Sequence, residues 1–130
     1  MKYLLDTSTV SYALRGIGGI NERLRRLSPA SVAISAITEA ELWYGVEKRN
    51  SNKLRKLVSA FIQPLEVIPF DSDAARCYGV INAEIQKNGT PIDMADAMIA
   101  SIGITRKMTV VTSNVRHFGK IKGLKLENWE

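Results

Sequence analysis

Asp6 ends the apolar run Tyr3-Leu4-Leu5 and is followed by two hydroxyl residues, Thr7 and Ser8. Glu41 sits in SAITEAELWYGV, with Ile37, Thr38, Tyr44 and Gly45 three and four residues away, on what reads as a mostly apolar helix face. Asp96 sits in PIDMADAMIASIG beside Ile92, Ala95, Ile99 and Ala100. Asp93 precedes it by three residues, so on a helix the two acids share one side. A carboxylate on an apolar face is costly unless it is paired, hydrogen-bonded or bound to a metal. If Asp6, Glu41 and Asp96 converge, either their pKa values rise or a cation neutralises them. With His117 and Cys77 the only histidine and cysteine, ligation would be by oxygen alone. Oxygen ligands select a hard ion, Mg²⁺ or Mn²⁺, over zinc. Such an ion acts on phosphodiesters by polarising a phosphoryl oxygen and activating water.

Each acid also has a purely structural reading. Asp6 or Thr7 can cap the helix that follows. Asp93 can be a first-turn acid favoured by the helix dipole. Glu41 and Asp96 can each be paired with a nearby arginine or lysine. Taken singly, the residues leave both readings open. Glu39 and Glu47 point away from Glu41 and are expected in solvent.

The elements that must position these groups are readable from composition. Strands are expected at 2–6, 31–35, 65–70 and 108–113, with a weaker fifth at 124–129. Helical patterns cover 9–15, 20–27, 36–49, 52–62 and 72–87, the last stopped by Asn88-Gly89. Pro91 is expected to open a helix reaching about residue 104. Strands that are apolar throughout, alternating with helices, predict an α/β fold: a central parallel sheet of four or five strands flanked by helices. Residues 1–130 form one domain on this reading. In such sheets, sites gather beyond the carboxyl ends of the strands, near the switch in strand order. Asp6, Ser113 and Asn114 fall there.

The formal charge is +5 and the pI about 9.5. Basic residues cluster at Arg23, Arg25 and Arg26, at Lys48, Arg49, Lys53, Arg55 and Lys56, and at Arg116, His117, Lys120, Lys122 and Lys125. These suit a polyanionic partner such as nucleic acid, or are solvated helix faces. No run approaches ~18 apolar residues, so no membrane span is expected. The N-terminus does not read as a secretory signal, and a lone cysteine fits a reducing cytoplasm. Cys77 is read as packing.

Four segments, LLDTS at 4–8, SAITEAELWYG at 35–45, PIDMADAMIA at 91–100 and VTSNVRHFGKIKGLKLENW at 111–129, resemble the PIN-domain family. More narrowly they resemble its VapC toxins of type II toxin–antitoxin modules, in the same order and at similar spacing along the whole chain. The resemblance implies a PIN-like sandwich and a Mg²⁺- or Mn²⁺-dependent endoribonuclease, with transfer RNA one candidate substrate. It implies that Asp6, Glu41 and Asp96 are the catalytic and metal-binding acids, and that Asn114 holds a fourth position in the pocket. Thr7 and Ser8 match a signature that supports the acids, and Thr112 matches the threonine ending the fourth strand. It further implies a homodimer and a cognate VapB-type antitoxin that covers the acidic pocket, with Trp43 and Tyr44 as its anchor or, alternatively, as core or dimer residues. Asp93 is an added acid without an assigned role, Ser113 replaces a frequent Asn, and His117 stands where Glu is common. Two alternatives remain open to the sequence: a receiver-like regulatory domain, and a catalytically inactive PIN fold serving as an RNA-binding or assembly subunit.

Overall fold

In the computed structural model, which describes residues 2–89 and 91–130, side chains alternate along each central strand and build a two-faced sheet. The strands are β1 (Tyr3–Leu5), β2 (Val32–Ser35), β3 (Glu66–Ile68), β4 (Thr109–Val111) and β5 (Lys125–Glu127). They pair in parallel in the order β3-β2-β1-β4-β5. Leu4, Ala33, Ile68 and Val110 point to one face, and Leu5, Val32, Ile34 and Val111 to the other.

The helices are α1 (Thr7–Leu14), α2 (Ile20–Arg25), α3 (Ala36–Arg49), α4 (Asn52–Ile62), α5 (Ser72–Lys87), α6 (Met94–Thr105) and α7 (Val115–Phe118). The first core includes Ile81 and Ile85 of α5, Ile99 and Ile102 of α6 and Phe118 of α7. The second includes Val10, Ile20, Leu42, Val46 and Val58 from α1 to α4, closed by Trp129. Burial of these aliphatic groups, about 25 cal/mol per Å² removed from water, is what holds the helices to the sheet. Cys77 packs partly buried against the first core, and desolvation raises its thiol pKa, consistent with a packing role.

Chain order explains where a site can form. From β1 the chain moves outward through β2 to β3, then returns to the other side of β1 for β4 and β5. The reversal opens a crevice at the carboxyl ends of β1 and β4. Helix α6, antiparallel to β4, brings its N-terminus to that edge. It lies close to the sheet: a Cβ added at Gly103 would meet the Val110 methyl at 2.7 Å.

Two expectations need correction. Helix α6 begins at Met94, because Asp93 is extended (φ −54°, ψ 138°) and stands at the N-cap; Thr90 lies outside the described residues. The buried stripe of α3 is Thr38, Leu42 and Val46, so Glu41 and Tyr44 are exposed instead of sharing an apolar buried face. Leu42 and Val46 present a tighter aliphatic stripe to the sheet than Ala40 and Tyr44 do. The short α7 was not foreseen. No described helix is long and apolar enough to cross a membrane.

Candidate active site

Asp6 extends β1 by one residue (φ −80°, ψ 174°) and is only 3% exposed. Alternation sends it to the Leu4 side of the sheet, the side that α6 covers. Its Oδ1 accepts the Thr9 N–H at 2.9 Å, and the Ser8 hydroxyl donates to both carboxylate oxygens, at 3.0 and 3.1 Å. Asp6 therefore caps α1 and belongs to the acid cluster at once. The two readings of this residue were never exclusive. The turn is clamped to β4 by the Asp6 N–H and the Thr9 hydroxyl, each donating to the Val111 carbonyl at 3.0 Å.

Glu41 reaches the site from α3. The Thr7 hydroxyl donates to Glu41 Oε1 at 2.5 Å and lies 3.2 Å from the hydroxyl of Thr38, which is wholly buried. One hydroxyl has one proton, and the shorter, charge-assisted contact to the carboxylate takes it. Helix α3 is itself fixed by Ser35, whose hydroxyl accepts the Thr38 N–H at 3.0 Å. Glu39 is half-buried and accepts the Trp43 indole N–H at 3.1 Å, whereas Glu47 is exposed and pairs with Arg55.

Asp96 lies half-buried in the first turn of α6. Burial pushes its pKa from 3.8 up to about 6, reinforced by the negative charges of Asp6, then Asp93, then Glu41. Asp6, Asp93 and Glu41 thus bear on Asp96, four carboxylates gathered at the carboxyl edge of the sheet. None takes part in an ion pair among the described residues, whose pairs are Lys2–Glu66, Arg23–Glu127, Arg26–Glu22, Arg55–Glu47 and Arg106–Asp71. The arginine- or lysine-paired reading of Glu41 and Asp96 is overturned. Asp93 is exposed at the N-cap without a capping bond, which leaves its carboxylate free for the cluster.

The loop after β4 forms the opposite rim. Buried Thr112 accepts the Asn114 N–H on its hydroxyl at 2.9 Å. Ser113 donates to the Ser8 hydroxyl at 3.0 Å, so a hydroxyl relay runs from this loop through Ser8 to Asp6. The Asn114 amide nitrogen lies 3.0 Å from His117 Nδ1, so this side chain is held toward α7, not donating to an acid. Thr9 and Thr38 escaped the sequence reading. Their signals were present: Thr9 lies three residues after a cap, and Thr38 lies three after Ser35.

As placed, the acids are a cluster without being a finished coordination shell. Among the described residues, no group of three or more His, Cys, Asp or Glu side chains is positioned to hold a metal ion. Glu41 is drawn aside by Thr7. The donor chemistry, oxygen only and without a cation partner, nevertheless fits a hard divalent ion. From Thr7 and Glu41 a groove of about 280 Å³ runs between α1, α3 and α4 to Arg15 and Arg49.

A model of the PIN domain matches residues 3–124 of this chain. The chain belongs to the PIN-domain family. This PIN domain is 38% identical over 131 aligned positions to the tRNA(fMet)-specific endonuclease VapC of Salmonella typhimurium, covering 99% of this chain and 98% of that protein. It is 35% identical to ribonuclease VapC2 of Rickettsia felis, covering 100% and 99%. Among solved structures it superposes on VapBC2 from Rickettsia felis bound to a promoter DNA fragment, with a TM-score of 0.91, 34% identity and full coverage of both chains. It also superposes on DNA-bound VapBC from Salmonella typhimurium, with a TM-score of 0.92, 37% identity and coverage of 100% and 99%. Membership of this family sets aside the receiver-like alternative.

Proposed function

We propose that this PIN domain is the ribonuclease toxin of a VapBC-type module, cutting RNA phosphodiester bonds with the help of a divalent cation and neutralised by a VapB-type antitoxin. One observation carries the reading: Asp6, Asp93 and Glu41 bear on Asp96 at the sheet's switch point, and none of the four is ion-paired among the described residues. A carboxylate withdrawn from water, as Asp6 and half-buried Asp96 are, is normally paired, hydrogen-bonded or bound to a metal. The names of relatives that align along the whole chain, an endonuclease and a ribonuclease, support it and favour an enzyme over an inactive assembly subunit.

In this reading Asp6, Asp96 and Glu41 hold Mg²⁺ or Mn²⁺, which when bound polarises the scissile phosphate and acidifies a water. Asp6 is held in a single orientation by Thr9 and Ser8. Asp96, titrating near 6, is largely ionised at neutral pH and ready to ligate. Glu41 is the exposed member and the one whose orientation a hydroxyl controls. It completes the shell by leaving Thr7, or it accepts the proton of the attacking water while Thr7 steers it. Hydrolysis by activated water leaves a 5′-phosphate and a 3′-hydroxyl. Thr112 and Asn114 shape the far rim, and Asp93 adds charge to it. Antitoxin and a second copy of the chain are the expected partners. Tyr44, 66% exposed one turn from Glu41, is better placed than half-buried Trp43 to meet an antitoxin.

The test is incubation of purified protein with tRNA and with total RNA, followed by mapping of new 5′ ends. Cleavage that needs Mg²⁺ or Mn²⁺, stops in EDTA and is lost in Asp96→Asn is expected. Unchanged cleavage by Asp96→Asn would defeat the assignment.

A further inference from the structure

Resting on the nuclease reading of the acid cluster, we infer that Arg15 and Arg49 form a second, non-catalytic contact for the RNA backbone, holding a phosphate further along the strand than the one being cut. The groove that begins at Glu41 continues past Gly45 to Arg49, with Arg15 on the facing side. Glu41, Gly45 and Arg49 stand four residues apart on one side of α3. Their ends are separated by about 12 Å along the helix axis. Gly45 contributes no side chain to block the path, and a Cβ there would meet nothing within 4 Å. Leu14 of α1 and Leu54 of α4, both partly exposed, give the groove an apolar wall against which a sugar or base face can rest.

Charge decides what the groove accepts. Arg23, Arg26, Arg55 and Arg106 are each paired with a carboxylate. Arg15 and Arg49 are exposed and have no carboxylate partner among the described residues; Arg15 lies over the Tyr12 ring, 5.1 Å from its centroid. Two guanidinium groups thus line one groove in which Glu41, at the catalytic end, is the only acid among the described residues. Guanidinium forks match phosphate oxygens bidentately. A strand threaded through the groove places one phosphate at the acids and a later one between the arginines. This also separates roles: the acids cut, and the arginines fix which bond reaches them.

The experiment uses the full chain carrying Asp6→Asn, so that RNA survives, and a fluorescently labelled single-stranded RNA read by anisotropy over a salt series. Adding Arg15→Gln and Arg49→Gln should weaken binding by tenfold or more. It should also make log K against log salt shallower by about 0.7, the share of the one phosphate the two arginines hold on a single strand. Lysine at both positions should restore most of the slope, and Arg76→Gln on α5 should change nothing. In the active chain, the glutamine pair should raise KM for long RNA with kcat retained. An unchanged salt slope, or an equal change from Arg76→Gln, overturns the inference. So does a double variant that binds RNA normally yet loses antitoxin, which would make the groove a seat for that protein. Should the unsubstituted chain fail to cleave any RNA while the slope still falls, the nuclease reading fails and the phosphate contact stands.

Discussion

Replacing Asp96 by Asn should stabilise the folded protein while abolishing its activity, and the stabilisation should depend on pH in one direction. An aspartate titrating at about 6 in place of 3.8 destabilises its charged form by about 3 kcal/mol at 1.36 kcal/mol per pH unit. Asp96 is half-buried, so solvent screening trims this to about 2 kcal/mol. A raised pKa means that the folded state binds its proton more tightly than the unfolded chain does. The penalty is therefore full above pH 6, shrinks as pH falls from 6 toward 3.8, and is absent below that interval. Asparagine keeps the volume and removes the charge. For a domain of this size about 3–5 °C accompanies each kcal/mol, so in EDTA at pH 8 the variant should melt about 6–10 °C higher. Near pH 4 the two melts should coincide. Thermal unfolding followed by circular dichroism at fixed ionic strength reads both. A variant less stable than the parent at pH 8 would mean that a cation neutralises Asp96, and the reasoning would fail.

Asp6→Asn and Asp6→Ala should both lose cleavage, but only alanine discards the acceptor for the Thr9 N–H; it should cost about 1 kcal/mol more in urea unfolding. Thr7→Val removes the donor that orients Glu41 and should lower kcat about tenfold or more with KM little changed, as expected for one hydrogen bond to a charged group. Gly103→Ala, whose Cβ would press to 2.7 Å from the Val110 methyl, should cost about 1–3 kcal/mol by forcing α6 off β4.

Helices α3, α4 and α5 were legible to the residue because each carries its own start signal: Ser35, Ser51 and Asp71 accept the N–H three residues on. Strand ends were not, because a parallel ladder stops where its neighbours stop, and Leu65, Phe70 and Thr112 follow their loops instead. The start of α6 was misread because Pro91 tolerates a first helical turn without requiring one. The convergence of Asp6 and Asp96 followed from topology, since β1 and the helix feeding β4 must meet at the switch point. Glu41 was expected on a buried face, but its neighbours at three and four residues describe a stripe and cannot say which stripe the sheet takes. The spacing of Thr9 after Asp6 and of Thr38 after Ser35 signals only their backbone N–H bonds, not what their hydroxyls meet. Their partners, Val111 and Thr7, are set only by packing.

The most direct test of the acid cluster is an anomalous difference map from crystals soaked in Mn²⁺. One peak enclosed by the carboxylates of Asp6, Asp96 and Glu41, absent in Asp96→Asn, is expected. A map with no peak at the carboxyl edge of β1, at Mn²⁺ concentrations that sustain RNA cleavage, would contradict it.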